Sequence, residues 1–329
     1  MSDIDMIRAA AARIKGHARR TPLLSSPFLD RIAGRRVWVK PECLQHTGSF
    51  KYRGGYAAVS ALDDATRARG VLAFSSGNHA QGVALAAAQH GVPSVIIMPS
   101  DAPALKIANT RALGAEVVLY DRAGGESREE IGEALEAARG LTLIRPYDEP
   151  QVIAGQGTAG LEIAEDAAEM GIRRADVLVC CGGGGFTSGI ALALEADAPG
   201  LRARPCEPED FDDTARSLAS GRIERNARTS GGLCDAIITP QPGEITFPIL
   251  QRLCGPGLAV SDEEALRAMA LAWGRLKLVA EPGGAVALAA ALFRADQIEG
   301  DDVIVTISGG NVDADIFQRA LSRYGSLDT

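Results

Sequence analysis

Between residues 71 and 147, short apolar runs alternate with stretches whose apolar residues recur at helical spacing. VLAFSS, SVIIMP, EVVLYD and LTLIRPY each read as a buried strand; HAQGVALAAAQHG, LKIANTRALG and SREEIGEALEAARG read as the helices that follow the first three. This βα alternation predicts a parallel sheet covered by helices. A second set follows in ADVLVCC with its glycine loop, FDDTARSLASG, SDEEALRAMALAWGRL, GGAVALAAALF and DDVIVTIS. The N-terminal residues add a helix, the TPLLSS turn, the strand RVWVK and the start of another helix at Ser49 to Ser60. Grouping them with the second set gives an α/β chain of two domains: a large one from residues 1–65 and 149–329, and a smaller one inserted at 66–148. The length of 329 residues suits two domains of about 100–200 residues each. The cleft between them is the default active site.

Composition removes several other functions. A formal net charge of -8 without a dense basic run is a poor match for a phosphate backbone, and 5% aromatics is too few for a base-stacking platform. The first helical stretch, Ile4 to Arg19, carries Asp5, Arg8, Arg13 and Lys15 and so lacks the apolar core of a signal peptide. No apolar run is long enough for a membrane span. The six cysteines at 43, 180, 181, 206, 234 and 254 include no CxxC pair and read as reduced, cytoplasmic residues; the four histidines do not join them at zinc-ligand spacing.

Only five lysines occur, at 15, 40, 51, 106 and 277, so covalent lysine chemistry has few candidates. Lys51 lies in QHTGSFKYRGG, where Thr47 or Ser49 is expected to cap a helix and place the lysine in its first turn. The positive helix end and burial both disfavour its protonated form, which exposes a neutral nucleophile; the alternative is a surface lysine near a cap. Ser75, Ser76, Gly77, Asn78 and His79 form a small-residue turn between a strand and a helix, suited to an anion such as a carboxylate or to simple capping. His79 fits a structural histidine better than a base. Gly182, Gly183, Gly184 and Gly185 follow a strand and let backbone N–H groups close around a phosphate. GGGGFTSG is not the spaced GxGxxG of dinucleotide sites, and no acidic ribose partner follows at the usual distance. Ser308-Gly309-Gly310-Asn311 closes another strand, where polar residues meet a ligand or simply turn the chain. Glu207 and Asp213 offer hard oxygen ligands to a divalent cation, or a solvated helix start.

Taken in order from HARRTPLLSS to SGGNVD, these segments resemble the fold type II pyridoxal 5'-phosphate (PLP) enzymes, the tryptophan synthase beta-like fold, and within them the serine/threonine dehydratase and serine racemase group. The resemblance implies that Lys51 holds PLP covalently and then acts as base at the substrate's Cα. It implies that Phe50 packs on the pyridine ring, Asn78 bonds the ring hydroxyl, the glycines 182–185 hold the phosphate, Ser308 meets the ring nitrogen and Glu281, in EPGGAVALAA, lies close to the ring. Ser75, Ser76, Asn78 and His79 resemble the substrate-carboxylate loop, with Ser76 as the acid/base opposite the lysine, so racemisation is chemically open. Glu207, the carbonyl of Phe211 and Asp213 fall where the group binds Mg²⁺ or a similar ion such as Ca²⁺ or Mn²⁺. A cytoplasmic homodimer acting on a small amino acid, with no nucleic-acid or membrane partner, is the matching expectation.

Arg128, in GGESREEI, resembles an arginine at the substrate site of serine racemases and suits a second carboxylate. This favours 3-hydroxyaspartate, giving oxaloacetate and ammonia. The alternatives are L-serine or L-threonine, giving pyruvate or 2-oxobutanoate, and a serine/aspartate racemase with elimination as a side activity. Two segments depart from the group: LRARPCEPED replaces an apolar strand before the metal residues, and residues 231–235 replace the more usual glycine-containing loop. The chain's end soon after SGGNVD leads us to expect no C-terminal regulatory domain.

Overall fold

The computed structural model describes residues 2–75, 77–102, 104–121, 124–228 and 230–326. Ten strands occur in them: β1 (Leu24–Ser25), β2 (Arg36–Pro41), β3 (Val71–Phe74), β4 (Ser94–Pro99), β5 (Glu116–Tyr120), β6 (Thr142–Leu143), β7 (Ala175–Cys180), β8 (Leu201–Pro208), β9 (Leu258–Val260) and β10 (Asp302–Ile307). They form a six-stranded sheet in the order β1-β2-β10-β7-β8-β9 and a four-stranded sheet in the order β5-β4-β3-β6. Every pairing is parallel except β1 with β2.

A parallel sheet covered on both faces needs strands without a polar side. β7 and β10 are buried at every position, and the helix Pro282–Phe293 packs against β7, β8 and β10 with all but its last residue buried. The helices Pro150–Glu169 and Gly185–Asp197 form another close layer, since a Cβ at Gly157 would lie 2.8 Å from the carbonyl oxygen of Gly189. Among the described residues no helix is long and apolar enough to cross a membrane.

β8 corrects the reading of LRARPCEP, whose two arginines gave it no strand signature. It runs between β7 and β9, with Arg204 buried in the sheet. That charge is tolerated because Arg204 Nη1 donates to Asp176 on β7 at 2.8 Å and to the Gln297 carbonyl, while Nε donates to the Pro256 carbonyl. β6 shrinks to two residues of the expected LTLIRPY run.

The topology sets the site. β2, β10 and β7 are adjacent and parallel, so their carboxyl ends open on one edge and carry, in turn, the segment to Lys51, Ser308–Asn311 and Gly182–Gly185. β3, β4 and β5 are adjacent in the second sheet, and Ser75 directly follows the end of β3.

Candidate active site

These loops enclose a cleft of ≈ 320 Å³. Its lining brings together Phe50, Lys51, Ser75, Asn78, His79, Arg128, Gly182–Gly185, Glu281 and Ser308 from across the chain. Ser76 lies outside the described residues.

Lys51 opens the helix Lys51–Ala61, but neither expected side-chain cap forms: Phe50 is the N-cap, and no side chain bonds the helix end. Ser49 is extended and bridges Gly309, and the Phe50 N–H donates to the Ser308 carbonyl at 3.1 Å. The tertiary pairing with the β10 loop therefore positions the lysine, and Ser49 Oγ is left buried without a partner. Lys51 Nζ donates to the Pro146 carbonyl at 2.7 Å and stands 5.1 Å from the Phe50 ring centroid. Burial lowers its pKa to about 8, against a smaller opposing pull from Glu281. The neutral amine thus becomes the main species above about pH 8, well below the ordinary lysine value of 10.5.

The glycine loop enters the helix Gly185–Asp197 through Gly184, whose φ of +90° suits glycine. Gly183 faces the Tyr147 ring so closely that a Cβ would overlap it. Buried Thr187 Oγ1 and Gln156 Oε1, both in the cleft lining, have no partner. Helix-end N–H groups, a side-chain-free loop and an unpartnered hydroxyl are chemically suited to an anion such as a phosphate. Phe50, on the same wall, stacks on Phe186 with centroids 4.1 Å apart.

Asn78 is the first residue of the helix Asn78–Gln89. Its Nδ2 donates to Glu281 Oε1, its Oδ1 accepts from Asn311 Nδ2, each at 2.7 Å, and Asn311 Nδ2 also reaches the Thr47 carbonyl. Glu281 is the residue before the helix Pro282–Phe293 and its side chain does not bond the helix end; burial raises its carboxyl to about 7 against the bond from Asn78. His79 is held neutral: burial, then the Lys51 charge, lower its pKa to about 3, and its Nε2 donates to the Ile144 carbonyl at 2.7 Å. Both observations match a structural histidine that also lines the cleft. Ser308, 3% exposed, sits at the end of β10.

Arg128 opens the helix Arg128–Arg139 behind the Ser127 cap and lines the cleft, although its side chain is 49% exposed. Only its Nε is hydrogen-bonded among the described residues, to Glu129 at 2.8 Å, and the guanidinium lies 6.0 Å from the Phe74 centroid.

Glu207 and Asp213 lie apart from this cleft. Thr214 and Ala215 donate backbone N–H bonds to the two Glu207 oxygens at 2.9 and 2.8 Å, and Asn226 donates to Asp213 Oδ1. Asp213 Oδ2 is buried and unpartnered, and burial raises its carboxyl to about 7; burial and Asp213 together hold Glu207 well above the carboxylate range. Among the described residues no group of three or more His, Cys, Asp and Glu side chains could hold a metal ion, so any ion here relies on two carboxylates and a backbone carbonyl.

The lining also contains Tyr147, Gln156, Thr187, Lys106 and Asp235, to none of which the sequence gave a role in the site. The scarcity of lysine was a usable signal for Lys106. The others come from helix interiors and loops whose patterns say nothing of direction.

Residues 14–310 match the family described as pyridoxal-phosphate dependent enzyme. The chain is 44% identical over 323 residues to the L-threo-3-hydroxyaspartate ammonia-lyase of a Pseudomonas species, covering 98% of this chain and 97% of that one. It is 41% identical to the enzyme of the same name from Saccharomyces cerevisiae, over 97% of this chain and 94% of the relative. Among solved structures, a threonine deaminase from T.th. superposes with a TM-score of 0.88 at 44% identity, covering 94% of this chain and 99% of that one.

Proposed function

The chain belongs to the pyridoxal-phosphate dependent enzymes and is a lyase of the hydroxy-amino-acid dehydratase/ammonia-lyase type; we propose that its favoured substrate is 3-hydroxyaspartate, converted to oxaloacetate and ammonia. The observation that carries the substrate is Arg128, a cleft-lining guanidinium with its terminal nitrogens unengaged among the described residues, suited to a second carboxylate.

Lys51, Phe50, Asn78, Glu281, Ser308 and the glycines 182–185 would hold PLP. The unpartnered Thr187 hydroxyl, the bare glycine loop and the lowered Lys51 pKa all suit such a group. When bound, PLP supplies an electron sink that acidifies the substrate's Cα–H. Lys51 takes that proton as a neutral amine, and Ser76 is assigned the acid/base position on the opposite face. Ser308, a hydroxyl and not a carboxylate, would meet the ring nitrogen without forcing a proton onto it, so the cofactor would supply a milder electron sink. Ser75, Asn78 and His79 belong to the wall assigned to the α-carboxylate. Water leaves as the Cα proton and β-hydroxyl; hydrolysis of the unsaturated amine returns one water and frees ammonia.

A divalent cation, Mg²⁺ or else Ca²⁺ or Mn²⁺, is assigned to Glu207, the Phe211 carbonyl and Asp213, supported by the orphaned Asp213 Oδ2 and the cost of two buried neighbouring carboxyls. A cytoplasmic homodimer completes the proposal.

The test is 2-oxo acid release from PLP-loaded enzyme with Mg²⁺, comparing both L-3-hydroxyaspartate diastereomers with L-serine and L-threonine. A higher kcat/KM for one hydroxyaspartate supports the reading. Preference for threonine or serine returns the enzyme to a general dehydratase, a second reading favoured by the threonine deaminase likeness and by the Asp235 carboxylate in the cleft. Release from none of the four would leave racemisation as the main activity.

A further inference from the structure

Three cationic side chains line the cleft, and the roles assigned so far use Lys51 and Arg128. The third, Lys106, is half-buried on the helix Ala104–Ala112, and among the described residues no hydrogen bond or ion pair holds its ammonium. Its position follows from the second sheet. The helix of Lys106 follows β4, the helix of Arg128 follows β5 and the helix that begins at Asn78 follows β3, while β5, β4 and β3 lie side by side and parallel. Lys106 therefore follows the middle of the three neighbouring strands, between the strand that leads to Asn78, assigned to the α-carboxylate, and the strand that leads to Arg128, assigned to the second one.

Its charge is felt in the centre of the cleft, because it favours the ionised form of Glu281 ahead of Lys51. The acids in the lining are Asp235 and Glu281, and burial keeps Glu281 largely protonated below about pH 7. Lys106 and Arg128 thus outnumber the ionised Asp235 in this lining, which favours an anionic group beside them.

We propose that Lys106 is a specificity-determining residue whose ammonium binds the distal carboxylate of the substrate together with Arg128. This rests on the 3-hydroxyaspartate reading. Arginine supplies the directional fork and lysine a compact charge on a flexible stem, so the two can hold one carboxylate from adjacent helix starts.

The test compares PLP-loaded wild type, Lys106→Met and Lys106→Arg. The readouts are kcat and KM for 3-hydroxyaspartate and L-serine, and succinate binding followed by the visible absorbance of the cofactor. The Met variant is expected to lose about 10- to 100-fold in kcat/KM for 3-hydroxyaspartate, mainly through KM, as fits one charged hydrogen bond. L-serine, which has no distal carboxylate for the ammonium to bind, should lose clearly less in kcat/KM than 3-hydroxyaspartate. Succinate should bind more weakly to Met, and Arg should recover most of both losses. A wild type that prefers 3-hydroxyaspartate, with Met losing both substrates equally or keeping wild-type succinate affinity, overturns the Lys106 assignment and leaves the substrate reading intact. A wild type without that preference overturns the substrate reading and the assignment with it.

Discussion

Asn78 Nδ2 donates a 2.7 Å hydrogen bond to Oε1 of Glu281, joining residues 203 positions apart in sequence and the first turns of helices on two different sheets. Gly309 makes room for it, since a Cβ there would overlap Glu281 Oε1. Glu281 is therefore both a lining group of the cleft and a link between the two sheets, and its ionisation is linked to folding.

The carboxyl of Glu281 rises from an ordinary 4.5 to about 7 on folding. Below about 4.5 both states hold the proton and the group is neutral to stability. As pH rises toward 7 only the unfolded state ionises, so the native state loses stability; above 7 the penalty is constant. Urea denaturation of PLP-free protein at pH 5 and pH 8 should show Glu281→Gln sparing up to about 3 kcal/mol of that loss. Equal losses in the two proteins would place the ionisation elsewhere.

Lys51 is lowered on folding to about 8. The rate at which PLP-free protein turns yellow on adding PLP should rise with pH and level off above about 8, as the neutral amine becomes the main species. A rise continuing toward the ordinary lysine value of 10.5 would contradict the buried environment. Lys51→Ala should form no yellow species and lose roughly 10²–10⁴-fold or more in turnover, the range for removing a positioned acid–base group.

Gly183 and the Tyr147 ring cannot both keep their places once a Cβ is added. Gly183→Ala is expected to weaken PLP retention by about ten-fold, an overpacking cost of about 1–3 kcal/mol directed at the phosphate seat. Adding Tyr147→Ala should restore retention, measured by dialysis and cofactor absorbance. A double variant no better than the single one would mean that the loop backbone, and not the ring, is the obstacle.

Asp176 and Arg204 form a buried pair between β7 and β8. Asp176→Ala leaves the guanidinium without its carboxylate and should cost about 3–5 kcal/mol in denaturant unfolding, whereas Asp176→Leu with Arg204→Met should recover most of it. A single variant within about 1 kcal/mol of wild type, the scale of an exposed pair, would show that water reaches the site.

The βα alternation, the parallel sheets and the candidate segments were legible because period and chain order are local properties. VLAF, SVIIMP and DVIVTI carry their burial in their own composition, and the glycine run and SSGNH stand out wherever the chain folds. LRARPCEP was not legible as a strand, because Arg204 is acceptable there only through Asp176, 28 residues earlier. The cap expected on Lys51 failed for a related reason: Ser49 is drawn into a bridge with Gly309, a contact that local sequence cannot encode.

The sequence by itself determined that strands and helices alternate, that most of the strands lie in parallel sheets, and that a rare lysine, a glycine loop and a small polar segment each follow or precede a strand. Only the tertiary structure decided that these ends share one cleft, that Lys51 is buried enough to lose its proton near pH 8, and that the strand before the helix of Lys106 lies between the strands that lead to Asn78 and to Arg128. Strand order is set by long-range packing between segments far apart in the chain, and desolvation depends on everything that surrounds a group, so neither can be read from the residues beside it.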